Sequence, residues 1–193
     1  MINLKNHSVF KKIPRKFLIS SLAIGSFLSV GLTNNLSSLA FDIQWDPDPN
    51  WVKLKYHQTS TKRMDSATYY LFLRPRNRKA GILKLNIKVP DYFDAQLTTK
   101  KINLCEVLVG GYTDRTKCIK DIPAAIEINE DQTSIDIYPE QPIPVNKNSY
   151  AVVMKIFNPR KAGMFQFHAY AQSPGAVPVA GYVGTWNFEV DFD

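Results

Sequence analysis

Leu83, Leu85, Ile87 and Val89 alternate with Lys84, Asn86 and Lys88. A period of two gives an extended chain one apolar and one polar face, and it gives a helix no continuous apolar stripe. The pattern recurs along the chain. Phe165, Phe167, Ala169 and Ala171 alternate with Gln166, His168 and Tyr170, and Trp186, Phe188, Val190 and Phe192 alternate with Asn187, Glu189, Asp191 and Asp193. Val52, Leu54 and Tyr56 are interleaved with Lys53 and Lys55, and Ile135 and Ile137 flank Asp136. Thr68 to Leu73 and Tyr150 to Ile156 are apolar on nearly both faces, as strands covered on two sides are. Ile102 to Val109 and Ala124 to Ile128 complete the set. No segment of helical period reaches the ten or so residues a helix needs, although Tyr92 to Leu97 is long enough for a turn or two.

The separators carry turn chemistry. Asn129 to Thr133 reads as a hairpin loop, Gly110 and Gly111 permit positive φ, and Pro90, Pro139, Pro142 and Pro144 sit at strand ends, where a missing N–H costs little. Many short strands divided by frequent turns predict an all-β fold, a single antiparallel β-sandwich of the immunoglobulin-like type over residues 51–193.

Residues 1–40 read differently. Lys5, Lys11, Lys12, Arg15 and Lys16 precede Phe17 to Leu32, an uncharged apolar run without proline, and Ser38-Leu39-Ala40 offers small residues where signal peptidase cuts. The expectation is a signal peptide cleaved after Ala40, then an extended arm over 41–50 containing Asp46, Pro47, Asp48 and Pro49. An uncleaved anchor is the alternative, although the run is shorter than the roughly 20 residues that span a bilayer. The expected destination is the periplasm or cell surface, with the thylakoid lumen also open, and no transmembrane span is expected in the mature chain.

The leader also holds most of the charge. The net charge is +7, yet every Asp and Glu follows residue 40, so the remainder carries an excess of only two positive groups. A near-neutral body argues against nucleic acid as a partner, because binding through counterion release needs many cations. Export also changes the meaning of the two cysteines. Outside a reducing compartment, Cys105 and Cys118 read as a disulfide. They lack the C-x-x-C spacing of a redox pair, and two cysteines cannot fill a zinc shell.

No G-x-S-x-G, H-E-x-x-H, phosphate loop or dinucleotide fingerprint occurs, so no catalytic residue, cofactor or metal is assigned. His57 lies just after a strand and His168 on the polar face of another, and a solvent-facing histidine is the ordinary outcome at a polar strand position. Asp46, Asp48, Glu189, Asp191 and Asp193 could collect oxygens for calcium only if the arm met the last strand, and no calcium-loop motif is present. Tyr69, Tyr70, Tyr112, Tyr170, Tyr182 and Trp186 would make a sugar-stacking platform, but alternation places several of them in the core.

The sharpest local feature is cationic. Arg74, Arg76, Arg78 and Lys79 crowd one turn, and arginine's fork suits two-point contacts with phosphate, sulfate or carboxylate. The plainer reading is a hairpin loop kept soluble by charge. Lys79-Ala80-Gly81 is echoed by Lys161-Ala162-Gly163 after Arg160, so Arg160 and Lys161 join the candidate anion-binding set as an analogous projection. The functional expectation is an exported, non-catalytic binding or structural protein of the cell envelope. Its partner would be an anionic glycan, a lipid surface or a protein, and the alternative is an envelope hydrolase with an unfamiliar active site.

The order of Ala67 to Leu73, Leu85 to Pro90, Ile137-Tyr138-Pro139, Phe157-Asn158-Pro159 with Gly163 to Phe167, and Gly181 to Trp186 resembles a secreted cyanobacterial family, the domain-of-unknown-function 2808 family. The resemblance covers about Asp42 to Val190. It implies a signal-bearing envelope or lumenal protein and supplies no catalytic residues. The stretch from Arg74 to Lys79 is more basic than the family leads one to expect.

Overall fold

The computed structural model describes residues 51–175 and 179–192. The expected signal peptide, the arm with Asp46 and Asp48, and Asp193 lie outside the described residues.

Among the described residues, eleven strands form the domain. In chain order they are β1 (Lys53–Leu54), β2 (Tyr56–Gln58), β3 (Ser66–Leu73), β4 (Lys84–Lys88), β5 (Ile102–Leu108), β6 (Lys117–Ile122), β7 (Ala124–Ile128), β8 (Ser134–Pro139), β9 (Tyr150–Phe157), β10 (Gly163–Gln172) and β11 (Ala180–Val190). They make two sheets, the first ordered β1-β11-β10-β4-β8-β7 and the second β2-β3-β9-β5-β6. The antiparallel sandwich expected from the sequence is therefore present, with one parallel pair, β1 on β11, at its border.

The alternating residues close the core. Leu85, Ile87, Ile135, Ile137, Phe165, Phe167, Trp186 and Phe188 of the first sheet face Tyr69, Leu71, Leu104, Val152 and Met154 of the second, all buried. Phe188 sits at the centre, its ring 4.8 Å from that of Phe167 and 5.0 Å from that of Tyr69, both edge to face. Trp186 reaches across the layers, its indole N–H donating to the Phe72 carbonyl at 3.3 Å. Each such side chain contributes about 1.5–3 kcal/mol of burial, and the indole and the phenol of Tyr69 each find a polar partner in the interior. The Tyr69 hydroxyl donates to Asn158 Oδ1, and the Asn158 amide donates to the Ser60 and Lys62 carbonyls. Burial, with Tyr56 nearby, pushes the Tyr69 phenol well above the ordinary tyrosine range.

Three local readings are corrected. Tyr92 to Leu97 forms no helical turn; Phe93, Ala95 and Leu97 are buried in alternation with exposed Asp94 and Gln96, so the segment is extended. Phe93 plugs the core against Phe165 and Phe167, 5.0 and 4.9 Å away. The single strand read through Val52 to Tyr56 is two strands in different sheets, with Leu54 paired to Trp186 and Tyr56 paired to Leu71. A strand that the sequence did not announce, β6, occupies the edge of the second sheet and is exposed along most of its length. Its Lys117, Lys120 and Asp121 are the charged positions that edge strands use against unwanted pairing.

Cys105 on β5 and Cys118 on β6 are joined as a disulfide, with a Cα–Cα separation of 5.7 Å. The bridge lies on the outer face of the second sheet, in a small apolar cluster with Phe72, Val107, Ala151 and Val153. Closing a thirteen-residue separation is worth about 3 kcal/mol in the chain-entropy model. Reduction is therefore expected to lower the unfolding free energy by about that amount in urea titrations. Alkylation of the native protein should label two thiols only after reductant is added; labelling without it would contradict the bridge.

Candidate functional site

The six candidate cations do not form one site. Because β3 and β9 are antiparallel neighbours, Leu73 pairs with Tyr150 and Ser66 with Phe157. The turn after β3 thus leaves one end of the sandwich and the turn after β9 leaves the other, roughly 23 Å away at the rise of a strand. Arg160 and Lys161 are exposed at that far end, where the Arg160 N–H donates to Asp94 at 3.0 Å.

The remaining four divide again. Arg78 is 3% exposed. Its Nη1 donates to the Leu73 carbonyl, its Nε to the Pro144 carbonyl at 3.3 Å, and its Nη2 to the Asn148 carbonyl at 2.9 Å and Asn146 Oδ1 at 3.1 Å. The guanidinium carbon lies 4.6 Å from the centre of the Tyr150 ring. Burial lowers the Arg78 pKa from its ordinary value while Tyr150 opposes the shift, and a guanidinium stays charged throughout the physiological range. Arg78 is thus a clamp between the turn after β3 and the segment 140–149, with its donors turned away from solvent. Arg74 is half-buried, with its guanidinium 5.8 Å from the Phe72 ring.

Arg76 and Lys79 point outward. Both are exposed, and neither forms an ion pair or hydrogen bond among the described residues. They stand on one wall of an open cleft of about 280 Å³ whose other walls include Val52, Ser173, Tyr182 and Val183. Proline at 75 begins a short 3-10 turn, Pro75–Asn77, whose entry is fixed by the Asn77 side chain accepting from the Arg74 N–H at 3.2 Å. That turn places residues 76 and 79 on the solvent side and residue 78 on the inner side. The cleft thus brings two exposed cations without side-chain partners among the described residues together with Tyr182.

The other sequence candidates are placed as follows. Tyr69 and Trp186 are core residues, and Tyr112 is fully exposed in the loop after β5. His57 is exposed, 5.9 Å from the Tyr70 ring, and shares a wide depression with Asp114 without hydrogen bonding to it. His168 Nδ1 meets the Thr185 hydroxyl at 2.8 Å, and Tyr182 meets the same hydroxyl at 2.6 Å. Thr185 is completely buried, so no substrate reaches it as a nucleophile. Among the described residues, no three His, Cys, Asp or Glu gather as metal ligands, and no helix is long and apolar enough to cross a membrane.

The chain is thus a disulfide-bonded β-sandwich with an open cleft beside the turn after β3. The chain belongs to the family described as Protein of unknown function (DUF2808), whose model matches residues 48–190. No curated protein matches it. Among solved structures it is similar to BslA, a bacterial hydrophobin, at 11% identity and a TM-score of 0.46, covering 73% of this chain and 92% of that one. It is also similar to the collagen-binding domain of a Staphylococcus aureus adhesin, at 13% identity and a TM-score of 0.41, covering 72% and 96%. A third is ACE19, the collagen-binding subdomain of the Enterococcus faecalis surface protein ACE, at 8% identity and a TM-score of 0.40, covering 72% and 98%.

Proposed function

We propose that this chain is an exported, non-catalytic binding protein of the cell envelope whose ligand presents anionic groups to Arg76 and Lys79. The observation that carries the reading is the pair of unpaired, solvent-facing cations on the wall of the open cleft. The disulfide between Cys105 and Cys118 supports an oxidising compartment, and the basic, then apolar, first forty residues support export as a signal peptide. The ligand is an anionic glycan, a lipid surface or a protein. Arg160 and Lys161 form a separate patch at the opposite end and are not needed for this contact.

The test keeps Arg78 intact. Replacing Arg76 and Lys79 together by glutamine is expected to reduce retention on isolated envelopes about tenfold at low ionic strength, with the difference vanishing as added salt screens exposed charges. Equal retention of the two proteins at low salt would refute the role of the cleft.

A further inference from the structure

The outer face of the first sheet carries side chains that neither the core nor the clamp uses. Strand register sets Tyr182 opposite Tyr170, Tyr170 opposite Asn86, and Gln172 opposite Lys84. The Tyr170 and Tyr182 rings lie 5.6 Å apart and inclined at 56°. Tyr182 is 37% exposed and Tyr170 is half-buried. On the far side of Tyr170 runs a second open groove, of about 310 Å³, lined by Lys84, Asn86, Lys88, Tyr170, Gln172 and Ala180. Tyr182 is among the residues lining the cationic cleft, and its ring lies beside that of Tyr170, which lines the groove.

The chemistry of this surface is specific. The Tyr182 hydroxyl lies 2.6 Å from that of Thr185. Lys84 is occupied by Asp136 at 3.2 Å and by Tyr138, whose hydrogen bond is the first cause holding its ammonium above the usual lysine range. Lys88 is exposed, its single contact a 3.4 Å approach to the Ser134 hydroxyl, and the Gln172 side chain has no hydrogen-bond partner among the described residues. A sugar ring has an apolar C–H face and a rim of hydroxyls. It needs a flat aromatic surface beside amide and ammonium donors. A lipid surface would instead call for cations projecting beside apolar side chains at a tip, whereas Lys88 and Tyr170 line an open groove.

We propose that cleft and groove form one track for a strand of anionic polysaccharide. Sugar rings lie on Tyr170 and Tyr182, and carboxylate groups reach Arg76 and Lys79 on one side and Lys88 on the other. This deepens the anion-binding reading above and rests on it.

The test uses the full chain and two probes in affinity electrophoresis: polygalacturonate, which has sugar rings and carboxylates, and inorganic polyphosphate, which has charge alone. Tyr170→Ala and Tyr182→Ala are each expected to weaken polygalacturonate binding at least tenfold and to leave polyphosphate binding unchanged. Tyr170→Phe and Tyr182→Phe keep the rings and are expected to bind within twofold of the parent. Alanine variants that bind polygalacturonate as the parent does would overturn the track while leaving the anion site standing. Phenylalanine variants as weak as the alanine ones would overturn it too, since stacking would then not be the cause. If Arg76→Gln with Lys79→Gln changes binding of neither polyanion, the anion-binding reading fails first, and the track with it.

Discussion

Arg78→Ala is expected to remove about 3–5 kcal/mol of unfolding free energy, much of what holds a domain of this size together. The guanidinium makes five contacts to oxygens on Leu73, Pro144, Asn146 and Asn148. Hydrogen bonds from a charged donor are worth about 1.5–3 kcal/mol each when isolated, but contacts from one group do not add. Truncation also removes the side-chain contact to the Leu73 carbonyl and leaves the Tyr150 ring without its cation. Lysine at 78 should recover little, because a single ammonium cannot span acceptors on two segments. Arg76→Ala, two residues away and solvent-facing, should change stability by less than about 0.5 kcal/mol. Urea titration of the three variants checks the set; an Arg78→Ala protein within 1 kcal/mol of the parent would show that the clamp is not holding the segments.

Gly184→Ala is expected to cost a similar amount, about 3–5 kcal/mol, for a different reason. Gly184 has φ +151°, a backbone region that side chains disfavour, and a Cβ there would lie 2.6 Å from the Val52 carbonyl oxygen and 2.7 Å from Leu54 Cγ. Neither neighbour can retreat. The Val52 carbonyl accepts from the Thr185 N–H at 2.8 Å, and Leu54 is completely buried. The methyl group therefore pushes β1 away from β11. Amide hydrogen exchange should show loss of protection at Thr185 before the β3–β9 ladder is affected; unchanged protection there would contradict this account. Gly163 makes a useful contrast. Its φ is also positive, at +159°, but its Cβ would meet nothing within 4 Å, so Gly163→Ala should be the milder change.

Much of this architecture could be read from residue order because burial on one face of a strand leaves a period of two. Leu83 to Val89 and Phe165 to Ala171 carry it plainly, and both are long enough to set a register. β6 was invisible for the same reason inverted: Lys-Cys-Ile-Lys-Asp-Ile lies on an edge where neither face is consistently covered, so no alternation is imposed. The change of sheet at Lys55 was hidden because crossing from one layer to the other need not interrupt the alternation. For the site, composition located the cationic turn but could not sort it. Four of the five contacts that set Arg78 apart from Arg76 go to acceptors 66 to 70 positions away. The pairing of Tyr170 with Tyr182 likewise required the register of β10 on β11, although the polar positions of the Leu83 to Val89 pattern already pointed Lys84, Asn86 and Lys88 to the surface.

The parallel contact of β1 with β11 has a mechanical corollary. Tension applied between the segment entering β1 and the segment leaving β11 would drag the two strands past each other lengthwise. Their cross-links, including the Thr185 N–H to the Val52 carbonyl at 2.8 Å, would then share the load together instead of opening one by one like a zip.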